Sequence, residues 1–331
     1  MRRRQFLGAC AASAIVAPGL ASSSFGSEPL LDALPDANAT EPFFPLSVML
    51  WTVRRELPFD QRLEIVAAAG YHACELVGEF KDWSKEDYAR FRKQRESLGI
   101  VFDATSGISS SLCDPAQRDA LLTEIQAHLV RMEELQCSKL ILLSGNRVEG
   151  LSHAQLHANC VEAIKAAADL AATKNVELLI ENIDPEENPK YFLTSVAEGF
   201  DVVRETGRPN VKFLYDFFHE QIAEGNLIEK LEKNIDIVGL VHIADVPGRH
   251  EPGTGEINYP NIFRKLRELN YRRYAAMEFI PTGDTVAALR AARELATNAS
   301  TSAAASSCNG GSSDPCISAA NRGARSRAQQ L

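Results

Sequence analysis

The 331-residue chain lacks the sequence features of several protein classes. It has no basic excess: the formal net charge is -9 at pH 7, whereas a nucleic-acid-binding protein would need a basic patch or stripe. Its seven cysteines form no C-x-x-C pair and no small-domain disulfide framework. It has no G-x-G-x-x-G after the first predicted strand and no P-loop motif. These absences favour a small molecule as the partner and argue against a nucleic acid.

Long apolar runs are missing as well. The N-terminus reads MRRRQFLGACAASAIVAPGLA, in which three arginines precede a short alanine-rich stretch that Pro18 interrupts. This stretch is well short of the roughly 20 residues that a membrane span needs. The pattern is typical of a twin-arginine export signal. We therefore expect residues 1–27 to be an export signal, the mature protein to be periplasmic, and no membrane span to remain after signal removal.

The composition changes twice more along the chain. Residues 28–42 are rich in Ser, Ala, Asp and Pro and are predicted to be a linker. From about residue 298 the chain becomes small and polar, with almost no large apolar side chains, so it cannot bury enough surface to fold. We predict one folded domain over residues 43–297 and a disordered tail over residues 298–331.

Strand-like and helix-like segments alternate regularly through the central region. Eight strand-like segments are predicted at 46–52, 72–78, 100–106, 139–145, 176–182, 211–217, 238–245 and 275–281. An amphipathic segment follows each of them, and Ser84, Ser152 and Thr194 are predicted helix N-caps. Eight βα units predict an α/β fold, a single-domain TIM (β/α)8 barrel. The alternative is an open doubly wound sheet, which the missing glycine-rich loop weakens.

Four residues with ionisable side chains lie at the ends of four late strands. They are Glu181, Asp216, His242 and Glu278, separated by 35, 26 and 36 residues, about one βα unit each. An ionised carboxylate in an apolar run costs several kcal/mol unless a cation or a donor compensates it. In a parallel barrel the four side chains would meet at the mouth that carries the chemistry of such folds. The pattern predicts a metal site; for any one residue alone, a structural ion pair or a core histidine is the alternative.

Three carboxylates and one imidazole suit a divalent cation such as Mg²⁺ or Mn²⁺, with Co²⁺ as a further option. Such an ion would polarise a carbonyl and a neighbouring hydroxyl and would stabilise an enediolate. Glu181 and Glu278 come from different parts of the rim, so they are the candidates to remove and return a proton.

Three further candidates for substrate contacts lie near these strand ends. His219 follows Asp216 in the same strand-to-helix turn, and Glu187 lies six residues after Glu181. Arg249 lies in the polar, glycine-rich loop IADVPGRHEPGTGE, where its guanidinium can bind a substrate carboxylate. The alternatives are a solvated loop arginine and an ordinary exposed acid.

The segments GRPNVKFLYDFFHEQIAEGNL and HIADVPGRHEPGTGEINYPNIF, with LLIEN before and MEFIP after, resemble the hydroxypyruvate isomerase family. That family belongs to the xylose isomerase-like barrels. The resemblance covers about residues 46–281 and is most specific in ADVPGRHEPGTGEINYP. It implies a TIM barrel that converts hydroxypyruvate to tartronate semialdehyde, with Glu181 and Glu278 as the proton-transferring pair.

The resemblance also implies ligands and one departure. Related barrels bind a divalent metal at the positions that match Glu181, Asp216, His242 and Glu278. Glu187 and His219 match substrate-contacting positions of ketose 3-epimerases, and Arg249 is matched within the isomerase family. Many members of the isomerase family carry Gln where this chain carries His242, whereas the epimerases carry His.

Four functions follow as hypotheses. The leading one is an isomerase of a small hydroxy-oxo acid, and the alternative is a ketose 3-epimerase or an isomerase of a longer 2-oxo sugar acid on the same site. Metal-dependent phosphodiester cleavage would call for more histidine ligands and a basic face. A non-catalytic exported sugar-binding protein is the remaining option, and the intact glutamate pair argues against it. The sequence leaves the oligomeric state open, a homo-oligomer included.

Overall fold

Eight parallel strands close into a barrel in the computed structural model, which describes residues 41–301. Each strand pairs with the next along the chain, and the eighth pairs with the first. The strands are β1 Leu46–Met49, β2 Ala73–Val77, β3 Val101–Ser106, β4 Lys139–Leu143, β5 Glu177–Glu181, β6 Val211–Asp216, β7 Val238–Ile243 and β8 Ala275–Met277. The predicted TIM (β/α)8 barrel is confirmed, and the open sheet is excluded by the β1–β8 pairing.

Nine α-helices follow the strands in the described region. They are α1 Phe59–Ala68, α2 Lys85–Ser97, α3 Arg118–Leu135, α4 His153–Ala172, α5 Val196–Thr206, α6 Phe217–Ala223, α7 Leu227–Asn234, α8 Tyr259–Glu268 and α9 Thr285–Thr301. The predicted caps Ser84 and Ser152 are confirmed, each within a reciprocal capping box. The predicted cap Thr194 is wrong, because the N-cap of α5 is Ser195. Helix α6 was not predicted.

The barrel interior is layered because alternate residues of a strand point to the same face. An apolar cluster fills the middle of the barrel: Met49, Ala104, Ile141, Leu179, Leu214, Leu240 and Ala276. Two residues further along β5, β6, β7 and the end of β8, the side chains become Glu181, Asp216, His242 and Glu278. The interior therefore changes from apolar to ionisable at one level, with the apolar layer beneath the ionisable one.

The helices pack on the outside of the barrel through a second, larger apolar core. The contact between α5 and β6 is especially close at Gly199, where an added Cβ would lie 2.3 Å from the Cε2 atom of Phe213. Phe213 is fully buried and also packs edge-on against Phe200, with 4.8 Å between ring centroids. Glycine is therefore needed at this position for the helix to reach the strand.

Most of the predicted terminal segments lie outside the described residues. The export signal, nearly all of the linker and residues 302–331 of the predicted tail belong to this group. Helix α9 runs to Thr301, four residues past the barrel boundary that the composition predicts. Within residues 41–301, no helix combines the length and the apolar character that crossing a membrane would require.

Candidate active site

The four predicted metal ligands meet at the carboxyl ends of the barrel strands. One ligand atom from each of Glu181, Asp216, His242 and Glu278 lies within 4.8 Å of the others, and all four residues are buried. His242 lies between the two glutamates, with its Nδ1 atom 2.7 Å from Glu278 Oε2 and 3.7 Å from Glu181 Oε1. The barrel brings together side chains that are up to 97 residues apart in sequence, from 181 to 278.

The two nitrogens of the His242 ring differ in their partners. Nε2 lies 3.0 Å from Glu75 Oε2, a carboxylate on β2. Nδ1 forms no hydrogen bond of acceptable geometry within the described structure, although Glu278 Oε2 is only 2.7 Å away. Nδ1 thus points at the oxygens of Glu278 and Glu181, at the position where a cation held by these carboxylates would bind.

The environment separates the pKa values of the two glutamates. Burial raises the pKa of Glu181 to about 8, His242 opposes that rise, and the charge of Glu278 adds to it. Burial also opposes ionisation of Glu278, but Arg249, His242 and the Trp51 indole together hold the pKa of Glu278 well below its usual range. Two carboxylates whose pKa values differ in this way can serve as an acid and a base at one site.

Arg249 is buried, and each of its N–H groups faces a polar atom. Nη2 lies 2.7 Å from Glu278 Oε2 and 3.2 Å from Asp216 Oδ2. Nη1 lies 3.1 Å from Glu187 Oε2 and 3.4 Å from His219 Nε2, and Nε donates to the Glu278 carbonyl at 3.3 Å. These acceptors raise the pKa of Arg249 further although burial opposes this, so the site contains a permanent positive charge.

Asp245 organises the loop that carries Arg249. Its carboxylate accepts hydrogen bonds from the backbone N–H groups of Val246, Gly253, Gly255 and Ile257 at 2.9 to 3.0 Å. Arg249 itself has a φ of 60°, a left-handed conformation that few non-glycine residues adopt. The loop therefore holds an unfavourable backbone conformation in order to place the guanidinium, as is common at functional sites.

His219 and Glu187 lie on the same side of the site as Arg249. Asp184 lies 2.7 Å from His219 Nδ1, and Asp216 Oδ2 lies 3.4 Å from Nε2 of the same ring. Burial lowers the pKa of His219, but Asp216 and Asp184 outweigh it and raise this pKa above the ordinary value. Glu187 is about half exposed. The structure thus brings all seven predicted site residues into one cluster.

The side chains fit a divalent cation. The fit rests on the buried Nδ1 atom of His242, which has no hydrogen bond, and on the three carboxylates around it, which are the oxygen donors that hard cations prefer. The carboxylate of Glu278 is also held in place by a hydrogen bond, because its Oε1 atom accepts one from Trp51 Nε1 at 2.7 Å.

Sequence reasoning missed three residues of this region: Glu75, Asp184 and Asp245. Glu75 lies in the apolar run HACELVG, and this is the same signal that identified Glu181. Asp184 and Asp245 act on backbone N–H groups of their own loops, which no spacing rule of the sequence would reveal.

Comparison with known proteins identifies the family. The family model of the xylose isomerase-like TIM barrel matches residues 63–297. The chain belongs to this family. Among curated relatives, the hydroxypyruvate isomerase of Escherichia coli strain K12 is 32% identical over 240 residues, covering 71% of this chain and 93% of that protein. The 2-oxo-tetronate isomerase of Cupriavidus necator is 38% identical over 238 residues, covering 71% and 92%.

A solved structure of the same fold is also similar. The crystal structure of an AP endonuclease, family 2, from Brucella melitensis has a TM-score of 0.68 and 26% sequence identity. The match covers 75% of this chain and 96% of that chain. The resemblance to hydroxypyruvate isomerases that the sequence motifs indicate is confirmed by the curated relatives.

Proposed function

We propose that the protein is an isomerase that interconverts hydroxypyruvate and tartronate semialdehyde (2-hydroxy-3-oxopropanoate). The observation that carries the proposal is the pair Glu181 and Glu278, which flank His242 at the barrel mouth with pKa values displaced in opposite directions. The relatives named hydroxypyruvate isomerase and 2-oxo-tetronate isomerase match this chain in sequence over most of their length and support the reaction class.

The two glutamates divide the proton transfers between them. Glu278 is the base, because Arg249, His242 and Trp51 keep its carboxylate ionised, and only an ionised carboxylate can accept the proton from C3 of hydroxypyruvate. The enediolate that results has its negative charge on oxygen, close to the Arg249 guanidinium. Glu181, whose pKa is about 8, returns a proton to C2, while the proton of the C3 hydroxyl passes to the C2 oxygen. Tartronate semialdehyde is the product, and Glu278 then holds the proton taken from C3 while Glu181 is ionised. Glu278 releases its proton to solvent and Glu181 takes one up, which restores both groups for the next turnover.

We further propose that Glu181, Asp216, His242 and Glu278 hold a divalent metal, most suitably Mg²⁺ or Mn²⁺. When bound, such an ion supplies Lewis-acid polarisation of the substrate oxygens. Apart from this, the residues of the chain bind and orient the substrate, and the apolar layer beneath them keeps water from reaching the site from below.

Arg249 and Glu187 suggest how the substrate carboxylate binds. Every N–H of Arg249 already faces a polar atom, so a substrate carboxylate must replace one of these partners. Glu187 is the replaceable partner because its side chain is 53% exposed, whereas those of Asp216 and Glu278 are buried. The contact at 3.1 Å between Arg249 Nη1 and Glu187 therefore marks a position that accepts a carboxylate, with His219 beside it.

The test is an NMR assay in D₂O with hydroxypyruvate and Mg²⁺. We expect conversion to tartronate semialdehyde with deuterium incorporated at carbon. Glu181→Gln and Glu278→Gln should each reduce kcat by at least about a hundredfold, the lower range of a general acid or base contribution. Exposed Glu86→Gln is the control and should leave kcat unchanged. Unchanged turnover in either active-site variant would contradict the proposal.

A ketose 3-epimerase or an isomerase of a longer 2-oxo sugar acid is the second candidate, and His242 is the residue that favours it. Arg249→Lys separates an isomerase of either acid from the ketose 3-epimerase, because a lysine cannot form the same forked contact with a carboxylate. If the substrate is an acid, this variant should raise KM strongly for hydroxypyruvate and little for a neutral ketose. Epimerisation of a neutral ketose with hydroxypyruvate left untouched would select the second candidate.

The arginine-rich start of the sequence supports a proposal about location. We propose that residues 1–27 direct export of the protein to the periplasm by the twin-arginine route. Arg3→Lys combined with Arg4→Lys should retain the protein in the cytoplasmic fraction, whereas Arg2→Lys should not. An equal distribution of the wild-type chain and the double variant would rule this route out.

A further inference from the structure

Glu75 is a buried carboxylate outside the predicted metal ligands. It lies in the middle of β2, is 0% exposed, and its Oε2 atom is 3.0 Å from His242 Nε2 on β7. Its other oxygen, Oε1, has no hydrogen-bond partner within residues 41–301. His242 is thus the one hydrogen-bonding partner that the described structure shows for this carboxylate.

Stability alone does not explain a carboxylate at this position. Removing a charge from water costs several kcal/mol, and an apolar residue of similar volume is often neutral or stabilising in place of a buried ion pair. Met49, the residue paired with Glu75 on β1, is indeed apolar, and the nearby buried carboxylate of Asp103 on β3 has its own partner, Ser47. The carboxylate at position 75 therefore has a specific task, and the one hydrogen-bonding partner that it has within residues 41–301 identifies the task as one that concerns His242.

The contact determines how the His242 ring is presented. A neutral imidazole that donates from Nε2 to Glu75 carries its lone pair on Nδ1. Nδ1 is the nitrogen that faces Glu278 and Glu181 and has no hydrogen bond of its own. A carboxylate that accepts from the far nitrogen of a metal-binding histidine fixes its tautomer and its orientation.

We propose that Glu75 is a positioning residue that holds His242 with Nδ1 directed into the ligand cluster, and that it thereby sets the affinity of the site for a divalent cation. This inference rests on the proposed metal role of the four ligands and deepens it. Glu75 touches neither the substrate nor the cation; it acts through the imidazole.

The test uses Mn²⁺ titrated into the chelator-treated full-length protein in a calorimeter, without substrate. Glu75→Gln should weaken Mn²⁺ binding by about ten- to a hundredfold, the range for removal of such a partner. Glu75→Asp keeps the carboxylate and should recover part of the affinity. Asp103→Asn is the matched control, because Asp103 is a buried carboxylate of the same barrel interior that bonds to Ser47 and not to His242.

A second measurement keeps the inference testable if Glu75→Gln fails to fold. Two-bond ¹H–¹⁵N NMR of the wild-type protein, ¹⁵N-labelled at histidine and loaded with diamagnetic Zn²⁺, reports the tautomer of His242, which a His242→Gln sample assigns. The inference predicts a protonated Nε2 and an unprotonated Nδ1. A protonated Nδ1, or Mn²⁺ binding weakened equally in Glu75→Gln and Asp103→Asn, would overturn it. Neither measurement involves turnover, so a wrong substrate assignment leaves both results interpretable.

Discussion

At the scale of single residues, Trp51 connects the first strand to the acid pair. Its indole N–H donates to Glu278 Oε1 at 2.7 Å, and its ring lies 5.7 Å from the Arg249 guanidinium. The hydrogen bond favours the ionised form of Glu278 and fixes the direction in which its other oxygen points. Trp51 is thus expected to matter for the base although it cannot itself transfer a proton.

Trp51→Phe should lower kcat/KM by about tenfold or more, since a hydrogen bond to a charged group is worth about 1.5 to 3 kcal/mol. It should also move the acidic limb of the profile of kcat/KM against pH to higher pH. The sign follows from the lost donor: a less stabilised carboxylate has a higher pKa, so Glu278 becomes ionised only at a higher pH.

Trp83→Phe is the control for this experiment. Trp83 packs against Phe59 and Phe91 on the outside of the barrel, away from the acids. An acidic limb that stays in place in Trp51→Phe, or that moves equally in both variants, would mean that the indole does not act on Glu278.

The residue scale also shows where prediction from sequence stops. The four proposed metal ligands could be predicted because each lies at the end of an apolar strand, and the carboxyl ends of all strands of a parallel barrel lie at the same end of the barrel. They are Glu181, Asp216, His242 and Glu278. Glu75 lies in the middle of a strand, and its partner is 167 residues away on the far side of the barrel. Which mid-strand side chains meet across a barrel depends on its closure and register, and one sequence without a structure does not contain that information.

At the scale of elements, the packing of α5 on β6 depends on Gly199. Alanine is favoured over glycine in a helix by about 1 kcal/mol. Here, however, the added methyl would lie 2.3 Å from the buried ring of Phe213, and overpacking of this kind costs about 1 to 3 kcal/mol. We expect Gly199→Ala to lower the free energy of unfolding in urea, against the intrinsic preference.

Two further variants make this prediction specific. Gly283→Ala should have little effect, because nothing lies within 4 Å of its added Cβ atom. Combining Gly199→Ala with Phe213→Leu should recover part of the lost stability by removing the ring atoms that clash. Stabilisation by Gly199→Ala alone would show that the helix can shift away from the strand.

The ion pair between α6 and α7 should make the free energy of unfolding depend on pH. Glu220 on α6 is buried and pairs with Lys230 on α7. Burial raises the pKa of Glu220 to about 7, and Lys230 opposes that rise without cancelling it. Because the folded protein binds this proton more tightly than the unfolded chain, stability is lost as the pH rises from about 4.5 through 7.

Glu220→Gln does not titrate, so its free energy of unfolding relative to wild type should improve between about pH 5 and 8. Glu224→Gln is the control, because Glu224 contacts the same lysine but its pKa is lowered by that contact. The stability that Glu224 contributes is lost only below its ordinary pKa, and its charge adds only a minor part to the raised pKa of Glu220. The difference between its variant and wild type should therefore change much less over this range than that of Glu220→Gln. Parallel curves for all three proteins would contradict the assignment.

The elements show why α6 escaped prediction. It has seven residues, begins directly after β6, and its first two residues are the phenylalanines that close the strand pattern. No loop or capping signal separates the two elements in the sequence, because Asp216 is at once the last strand residue and the helix cap. The eight longer helices have several turns of periodic pattern and could be predicted.

At the scale of the whole molecule, metal binding should appear as global stability. The four ligands come from β5, β6, β7 and the end of β8, so a cation held by them joins nearly half of the barrel wall. A ligand that binds only the folded state adds about 2.7 kcal/mol at a concentration one hundred times its Kd. The Tm of chelator-treated protein should therefore rise with added Mn²⁺ and fall again on chelation.

Asp216→Asn should lose most of this rise, whereas Glu86→Gln on the surface should keep it. A rise of equal size in Asp216→Asn would place the stabilising ion elsewhere on the molecule.

The fold as a whole was predictable because the eight βα units repeat one pattern, and a parallel sheet of eight strands closes most readily as a barrel. The terminal segments remain predictions from composition.

The apolar layer inside the barrel has a kinetic consequence. The barrel interior directly beneath the acids is filled by apolar side chains, among them Met49, Ile141, Leu179, Leu214 and Leu240. The site is therefore closed on that side, and reactant and product must both pass by the carboxyl ends of the strands. Product that stays bound excludes the next reactant, so each of the two compounds should inhibit the conversion of the other competitively. The rate at which the product leaves the site sets an upper limit on turnover.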